Sequence, residues 1–274
     1  MMDHAQIQQV LNKQKAFFIK NGPPSYDLRI DRMNRMKDLI MENRYRLVDA
    51  LNEDFGVRSK NQSMATDVYT IIPGIEYAKK NLKKWMSGSK RKPNFPLGLL
   101  GAKAKVSYEP LGTVGMISPW NFPVFLAFSP AAAIFAAGNQ IMHKPSEYTE
   151  HTSALMKELC DNVFDEEEFA TILGGPDVGA TFTQQKFDHL LYTGSGAVAK
   201  HIMKAAAENL VPVTLELGGK SPVIVSNTAD SVIAAKRIML GKTMNAGQIC
   251  LAPDYVMVHS DKKDELVSAM KTAV

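Results

Sequence analysis

A thiol and a carboxylate stand in two short segments of this chain whose neighbours are mostly small residues. Cys250 ends the run Asn-Ala-Gly-Gln-Ile-Cys, in which small side chains let the backbone approach a ligand closely. Glu216 opens an earlier run, Glu-Leu-Gly-Gly-Lys. A thiol can attack a carbonyl carbon, and a carboxylate can then activate a water molecule. The two segments together predict a nucleophile and a general base.

Two further segments carry polar side chains directly after predicted strands. Asn121 lies in the run Pro-Trp-Asn-Phe-Pro before a helix, where its amide and the free N–H groups of the helix could bind a developing oxyanion. The alternative is an ordinary helix start with buried aromatic residues. Lys144 and Glu147 could bracket a ribose through hydrogen bonds to its hydroxyls. The alternative there is a capped helix start with a surface ion pair.

A glycine-containing loop lies between a predicted strand and a predicted helix. Residues 193–199 read Thr-Gly-Ser-Gly-Ala-Val-Ala, which matches G-x-G-x-x-A. In this context the loop favours a pyrophosphate at the helix N-terminus. The usual fingerprint also places an acidic residue on the ribose about 20 residues later, and Glu216 meets that spacing. From the residues alone, Glu216 is therefore either a cofactor ligand or a general base.

The elements around these segments alternate between strands and helices. Residues 5–86 show apolar residues at helical spacing and predict helices. The predicted strands that follow are 113–117, 139–143, 169–173, 189–193, 213–217 and 223–225, with helices at 122–137, 149–162, before 183, 196–207 and 231–243. This order predicts an α/β fold, a Rossmann-like parallel sheet with helices on both faces, preceded by N-terminal helices. Ligands bind such sheets at the carboxyl ends of the strands, where the polar segments lie.

Composition narrows the class of protein. The net charge is +4, and the basic cluster at 79–92 lacks a nucleic-acid motif, so it predicts a solvated helix face. Two cysteines and a polar N-terminal segment predict a cytoplasmic protein without a disulfide framework. No apolar run is long enough to span a bilayer, and no His or Cys spacing predicts a metal site.

Taken jointly, five segments resemble the aldehyde dehydrogenase superfamily. They are Pro119–Pro123, Lys144–Glu147, Gly194–Gly196, Glu216–Lys220 and Gly247–Cys250. Their order and spacing match that family from residue 103 onward. The run from Cys250 to Val256 is similar to the coniferyl aldehyde dehydrogenase and fatty or aromatic aldehyde branch in particular.

The resemblance implies oxidation of an aldehyde to the carboxylic acid and a role for each segment. Cys250 forms a thiohemiacetal and then a thioester, while Asn121 and the Cys250 backbone N–H hold the oxyanion. Glu216 activates the hydrolytic water, which decides between its two roles. Lys144 and Glu147 hold the adenosine ribose of the cofactor. NAD is the expected cofactor, with NADP as the alternative, because the carboxylate of Glu147 disfavours a 2′-phosphate.

The remaining implied cofactor contacts follow the same pattern. Ser195 touches the pyrophosphate, Val198 faces the adenine and Trp120 lines the cofactor cleft. The other residues implied to contact the cofactor are Ser118, Ser146, Gly194, Leu217 and Gly218. Gly196 and Ala199 depart from the family pattern, since many members have Thr and Gly there, which leaves the packing around the pyrophosphate open.

The resemblance also implies a domain organisation. Residues 1–244 are expected to form the NAD-binding domain, with a helical part at 1–92 and an oligomerisation-type hairpin at about 102–117. Residues 245–274 then start a catalytic domain that is truncated here, because family members are much longer. A homo-oligomer, a dimer in the parent enzyme, is expected.

The end of the chain carries its own expectations. Residues 254–259 read as a strand, followed by Leu266, Met270 and Val274 at helical spacing. We expect this tail strand to pair with its own domain or with a neighbouring copy, since an unpaired strand exposes its backbone groups. Cys250 would then lie away from Glu216 and Asn121, and the fragment itself would be inactive.

Two alternative functions remain open from the sequence. One is a module that binds NAD without turnover. The other is a CoA-acylating aldehyde dehydrogenase. Glu216 argues against the second, because deacylation by CoA needs no carboxylate to activate water.

Overall fold

The structure, a computed structural model, describes residues 3–273 and divides into two compact units. The first comprises the chain up to Thr193 together with Ala197–Leu215, and the second comprises Gly194–Gly196 and the chain from Glu216 onward. Val274, the last residue of the periodic pattern in the tail, lies outside the described residues. Among residues 3–273, no helix combines the length and apolar character needed to cross a membrane.

The first unit begins with helices, which confirms the prediction from apolar spacing. They are α1 (His4–Asn21), α2 (Tyr26–Glu42), α3 (Arg44–Phe55), α4 (Lys60–Ser63) and α5 (Ile71–Met86), with a π-helical segment at Met64–Tyr69 before α5. Local signals set their ends. Asp3 and Gln6 form a reciprocal capping box at the start of α1, and Gly22, with φ of 68°, follows its last turn.

The predicted hairpin at about 102–117 is wrong in its pairing. A short antiparallel ribbon does form, but β2 (Ala104–Val106) pairs with β1 (Ser89–Arg91). The next strand, β3 (Thr113–Ile117), instead has parallel partners on both sides. Both of its hydrogen-bonding edges are therefore occupied, and no edge remains for β2. The oligomerisation role of the ribbon stays a prediction.

The central sheet of the described residues has the strand order β5-β4-β3-β6-β7. Its other strands are β4 (Gln140–Lys144), β5 (Phe169–Thr171), β6 (His189–Gly194) and β7 (Val213–Leu217), and the connecting helices are α6 (Pro123–Ala137), α7 (Glu150–Val163), α8 (Pro176–Thr183) and α9 (Gly196–Glu208). The chain order reverses between β3 and β6, which makes that boundary a topological switch point. The predicted α/β fold is confirmed.

Helices cover both faces of this sheet. Successive strand residues point to opposite faces, and Ile141 and Met142 accordingly belong to two separate buried clusters. One cluster packs β3, β4 and β5 against α2, α3, α5, α6 and α7. The other packs the opposite face against α1, α8 and α9. The strands β3, β4 and β5 are therefore buried on both sides, whereas β7 is half-buried to exposed along its length.

The second unit contains a separate β-α-β segment and a final helix. Its elements are β8 (Ser221–Val225), α10 (Ser231–Thr243), β9 (Pro253–Val258) and α11 (Lys263–Thr272). β8 and β9 pair in parallel, with Ile224 opposite Met257. The tail strand thus pairs within its own chain, the first of the two expected arrangements. The unit boundary at residues 215 and 216 precedes the expected domain boundary at 244, which itself stays a prediction.

Candidate active site

Ser118 follows β3 and is buried against the end of β4. Its N–H donates to the carbonyl of Lys144 at 3.2 Å, and its hydroxyl lies 2.7 Å from Nε2 of His143. Burial, together with the nearby charge of Lys144, lowers the pKa of His143 to about 3, so the ring is neutral. The Ser118 hydroxyl is therefore engaged by a neutral imidazole between two adjacent strand ends.

The turn after Ser118 carries Trp120 and Asn121. The Trp120 ring packs near Phe55, with 6.4 Å between the ring centroids. Asn121 is half-buried, and its carbonyl accepts a long hydrogen bond from Nη1 of Arg58 at 3.4 Å. The turn is thus held from outside by residues of α3 and of the segment that follows α3.

The N–H groups at the start of α6 are already occupied, which corrects the prediction that they are free for an oxyanion. Those of Val124 and Phe125 both donate to Oδ1 of Asp67 at 3.2 Å. The N–H of Leu126 donates to the carbonyl of Phe122, and Pro123 has no N–H. An oxyanion role in this turn therefore falls to the Asn121 amide and not to the first turn of the helix.

Arg58 and Asp67 were missed by sequence reasoning. They form a buried ion pair, with Asp67 fully buried and Arg58 only 7% exposed. Burial raises the pKa of Asp67, against the opposing effects of Arg58 and the two N–H groups. One signal was present in the sequence. Asp67 interrupts the apolar face of a helical pattern between Met64 and Ile71, where a carboxylate needs a partner.

Lys144 and Glu147 form an ion pair after β4, with 2.6 Å between Nζ and Oε2. The Lys144 side chain is buried, whereas the Glu147 carboxylate is 30% exposed. Partial burial favours a higher pKa for Glu147. The hydrogen bond from Lys144, the residue's own N–H and the Lys144 charge outweigh that effect and lower its pKa. The pair is therefore a half-buried charged pair and differs from the surface ion pair of the alternative interpretation.

Ser146 lies in the turn between these two residues. Its hydroxyl accepts a hydrogen bond from the N–H of Tyr148 at 3.2 Å, and its carbonyl accepts one from Oγ of Ser153 at 2.9 Å. The Ser146 side chain thus stabilises the turn that presents Glu147.

The strand–loop–helix context of the glycine loop is confirmed. β6 ends at Gly194 and α9 begins at Gly196, while Ser195 and Val198 are exposed. A Cβ on Gly196 would meet nothing within 4 Å, so the loop is sterically open at that residue. Ala199 is buried in the core cluster beneath α9. Its methyl group is thus accommodated inside the unit and leaves the loop surface unchanged.

In the second unit, the predicted general base lies at the end of β7. Glu216 and Leu217 are the last residues of the strand and Gly218 follows it, and all three are exposed. A solvent-accessible carboxylate can exchange protons with water. The structure therefore presents Glu216 in a state compatible with either of its two roles.

Cys250 lies in a turn between a 3₁₀ segment at Met244–Gly247 and β9, and its side chain is exposed. Asn245 and Ala246 have φ of 50° and 54°, and Gly247 has φ of 77°. Left-handed backbone costs a non-glycine residue roughly 1–2 kcal/mol. Ala246, four residues before Cys250, therefore stores local strain, whereas asparagine tolerates this conformation better.

Hydrogen bonds inside the segment hold this strained backbone. The N–H of Gln248 donates to the carbonyl of Asn245 at 3.0 Å, and the Asn245 side-chain amide donates to the carbonyl of Gln248 at 3.3 Å. A Cβ on Gly247 would lie 3.1 Å from the Lys242 carbonyl oxygen. Glycine is thus required at residue 247 both by its positive φ and by the close approach of the Lys242 backbone.

The two cysteines differ completely in accessibility. Cys160 is buried in α7, and its burial raises the pKa of the thiol well above the usual range. This confirms its interpretation as a small buried hydrophobic residue. Among residues 3–273, no group of three or more His, Cys, Asp and Glu side chains is placed to bind a metal ion.

Comparison with known proteins places this arrangement in context. Residues 2–274 match the model of the aldehyde dehydrogenase family. A probable coniferyl aldehyde dehydrogenase from Caulobacter vibrioides is 52% identical over 98% of this chain and 56% of its own length. A coniferyl aldehyde dehydrogenase from a Pseudomonas species is 50% identical over 96% of this chain and 54% of its own length. The chain thus spans about half the length of the curated relatives it matches.

Solved structures give the same picture. The substrate-bound state of AldH from Staphylococcus aureus matches with a TM-score of 0.92 and 37% identity, over 97% of this chain and 57% of that one. Betaine aldehyde dehydrogenase from the same organism, in complex with NAD+, matches with a TM-score of 0.88 and 29% identity, over 98% of this chain and 54% of that one.

Proposed function

The chain belongs to the aldehyde dehydrogenase family, and from that premise we propose that the complete protein oxidises an aldehyde to a carboxylic acid through a thioester on Cys250. One observation carries the proposal. The thiol of Cys250 is exposed in a turn that follows the left-handed backbone of Asn245, Ala246 and Gly247, whereas the other thiol, Cys160, is buried. Covalent catalysis on a carbonyl requires an accessible nucleophile, which Cys250 supplies and Cys160 does not.

The first chemical step is addition of the Cys250 thiolate to the aldehyde carbon. The S–C bond forms, and the carbonyl electron pair moves to the oxygen. The Asn121 side-chain amide and the backbone N–H of Cys250 donate hydrogen bonds to this oxyanion. The first turn of α6 takes no part, because Asp67 already accepts its N–H groups.

The second half of the reaction regenerates the thiol. When bound, the nicotinamide cofactor supplies the acceptor for the hydride that leaves the thiohemiacetal carbon. Glu216 then takes a proton from a water molecule, whose oxygen attacks the thioester carbon. The C–S bond breaks, the acid is released, and Cys250 returns to the thiolate. Exposure of Glu216 lets it pass its proton on to solvent.

Several residues fit a dinucleotide cofactor, NAD in preference to NADP. The half-buried Lys144–Glu147 pair offers both donors and acceptors to a ribose diol, and the Glu147 carboxylate repels a 2′-phosphate. The open β6–α9 turn offers Ser195 and the start of a helix to a pyrophosphate. The proposed set also contains Ser118, Trp120, Ser146, Gly194, Val198, Leu217 and Gly218. The complex of betaine aldehyde dehydrogenase with NAD+ supports this choice by similarity.

The substrate class follows from the relatives. Two of them, at 52% and 50% identity, are named as probable or established coniferyl aldehyde dehydrogenases. We therefore propose an aromatic aldehyde of the coniferyl type. We also propose that the complete protein is a cytoplasmic homo-oligomer, a dimer, in which the β1–β2 ribbon contributes to the interface. Inactivity of the 274-residue chain on its own stays a prediction.

The proposed roles are tested by pre-steady-state kinetics on the complete gene product. Cys250→Ala should abolish both the NADH burst and turnover, while Cys160→Ala, the matched control, should retain both. Glu216→Gln should keep the burst and slow the steady state, because only hydrolysis needs the base. Loss of the burst in Glu216→Gln with NAD binding intact would place Glu216 before hydride transfer. A steady state that requires CoA would favour the CoA-acylating alternative.

The ribose role is tested by binding alone. Loss of a hydrogen bond to a charged group costs about 1.5–3 kcal/mol. In titration calorimetry, Glu147→Gln should therefore weaken the binding of NAD by about tenfold or more and the binding of NADP by less. Equal losses for the two cofactors would refute a ribose contact at Glu147. Binding of NAD without any turnover by the complete gene product would favour the binding-only module.

A further inference from the structure

Three hydrogen bonds of the Arg58–Asp67 pair reach the Asn121 carbonyl and the first turn of α6. Arg58 donates to the Asn121 carbonyl at 3.4 Å, to Oγ1 of Thr66 at 3.0 Å and to Asp67. Asp67 accepts the N–H groups of the two residues that follow Pro123 at the start of α6. The pair therefore binds the backbone at the Asn121 carbonyl and at the start of α6 just after it, although neither residue lies near Asn121 in sequence.

Aromatic contacts also hold the two chain neighbours of Asn121. The Arg58 guanidinium lies 5.1 Å from the ring centroid of Phe122 and 4.8 Å from that of Phe55. Phe55 in turn packs near Trp120. Both chain neighbours of Asn121 are thus anchored, one through Phe55 and the other by the guanidinium directly.

A buried ion pair is weak evidence for stability, because well-packed apolar residues can often replace it without loss. The pair is better explained by the backbone geometry that its hydrogen bonds specify than by a contribution to stability. Asp67 uses up the helix N–H groups, so an oxyanion near this turn has the Asn121 amide as its donor. Arg58 binds the carbonyl of the same residue and so limits rotation of the backbone beside the Cα from which that side-chain amide projects.

We propose that Arg58 and Asp67 are positioning residues for Asn121, which hold its side-chain amide in the geometry that the acylation transition state requires. This inference rests on the proposed oxyanion role of Asn121. It gives the pair a function in the chemical step without any contact to substrate.

The chain offers a matched control for a purely structural role. Arg32 and Glu168 form a second buried ion pair in the same unit, with 2.9 Å between Nε and Oε1. Arg32 is 2% exposed, comparable to Arg58, and its pair joins α2 to the residue before β5. The proposal therefore predicts that equivalent changes in the two pairs will affect stability alike and acylation differently.

The decisive variant is Arg58→Lys, measured in the complete gene product beside Arg32→Lys. Lysine keeps the charge but loses the planar fork that reaches two partners at once. Arg58→Lys should lower the NADH burst rate by about tenfold to a hundredfold, with KM for NAD within about twofold of wild type. Arg32→Lys should leave the burst rate unchanged. A circular-dichroism melting curve confirms that each variant is folded.

A double-mutant cycle separates positioning from general destabilisation. Asn121→Ala should itself lower the burst rate by about a hundredfold to a thousandfold. In that background Arg58→Lys should have little further effect, because nothing remains to be positioned. Additive losses in the double variant would overturn the inference. So would a normal burst rate in folded Arg58→Lys.

A second measurement keeps the inference testable if Arg58→Lys does not fold. Asp67→Asn should raise hydrogen exchange at the amides of residues 124 and 125 in the 274-residue chain and slow the burst of the complete gene product. Unchanged exchange and an unchanged burst would overturn the inference. If Asn121→Ala leaves the burst intact, the proposed oxyanion role of Asn121 is wrong. The inference about Arg58 and Asp67 is then wrong as well. If Asn121→Ala slows the burst while Arg58→Lys has a normal burst rate, only the inference about the pair is refuted.

Discussion

The two units of the molecule bury their apolar residues to very different extents. In the first, the aromatic rings of Phe135, Phe169 and Phe182 are almost fully buried. In the second, Ile224, Leu240 and Leu251 are 75%, 66% and 77% exposed. The fully buried core of the second unit among the described residues is small and consists of Val225, Ala235, Ile238 and Leu266. The turn that carries Asn121 therefore belongs to a well-packed unit, and Cys250 belongs to a unit with few buried contacts.

Charged residues show the same contrast. The first unit contains the buried pairs Arg32–Glu168 and Arg58–Asp67, in which geometry is specified by several hydrogen bonds. In the second unit, Lys220 is 81% exposed in its pair with Asp254 at 3.3 Å. Exposed pairs of this kind contribute little to stability. The comparison indicates that Asn121, the proposed oxyanion donor, belongs to a well-packed unit, whereas Cys250, the proposed nucleophile, lies in a region of lower expected local stability.

The largest expected effect is in cysteine labelling. Because Cys250 is exposed and Cys160 is buried, a thiol reagent should modify Cys250 about a thousandfold faster or more. Cys160 should react only when the first unit opens. Mass spectrometry of the labelled chain measures both rates, and Cys250→Ser isolates the slow one. Fast labelling of Cys160 in Cys250→Ser would break the comparison, since it would show that the first unit opens readily.

Truncation of core residues should separate the two units next. Phe135→Ala removes a fully buried ring and should cost about 3–5 kcal/mol in urea unfolding. Ile238→Ala should cost about 2 kcal/mol, the lower end for this change, because its few neighbours are partly exposed and can relax. Equal losses would show that the small core is as rigid as the large one. Hydrogen exchange assigns each loss to its unit.

Acid should destabilise the first unit through His143. Its folded pKa of about 3 lies below the unfolded value of about 6.5, so the unfolded chain binds the proton first. The stability contributed by neutral His143 is present above pH 6.5 and is lost as the pH falls toward 3. Between pH 8 and pH 5 the loss should be about 2 kcal/mol in urea titrations. His143→Gln should remove this part of the pH dependence, and an unchanged slope would contradict the assignment.

The smallest expected effect sharpens the description of the Cys250 segment. Ala246 has φ of 54°, so Ala246→Gly should relieve strain and stabilise the second unit by about 0.5–1 kcal/mol. The same substitution inside α9, Ala205→Gly, should destabilise by about 0.5–1 kcal/mol. Opposite signs in thermal unfolding would confirm the left-handed turn. Destabilisation by both would show that Ala246 is not strained.

Most elements were predictable because their signals are local. The helix predicted at 231–243 is observed as Ser231–Thr243, and Asp230 caps it through the N–H groups of Val232 and Ile233. The strand predicted at 213–217 is observed as Val213–Leu217. Alternation of strands and helices was sufficient for the parallel sheet, because parallel strands need crossover connections.

The pairing of strands was harder to predict than their existence. Residues 103–110 and 113–117 read as a hairpin, since they are adjacent and separated by a turn. The edges of β3 are instead taken by β4 and β6, which come from later in the chain. Which partner occupies an edge depends on how all the strands pack together, and no local pattern encodes it.

The types of the proposed reacting groups were readable from the sequence alone. Small residues around Cys250, a carboxylate at Glu216 and an amide at Asn121 follow from residue identity and from their places after strands, which set the chemistry available to the protein. Tertiary structure alone decided how the backbone and side chains around these groups are held. Only the fold brings Asp67 to the first turn of α6, Arg58 to the Asn121 carbonyl and His143 to Ser118. Hydrogen-bond partners far apart in sequence are chosen by packing, because a buried donor or acceptor must be satisfied by whatever group the fold places beside it.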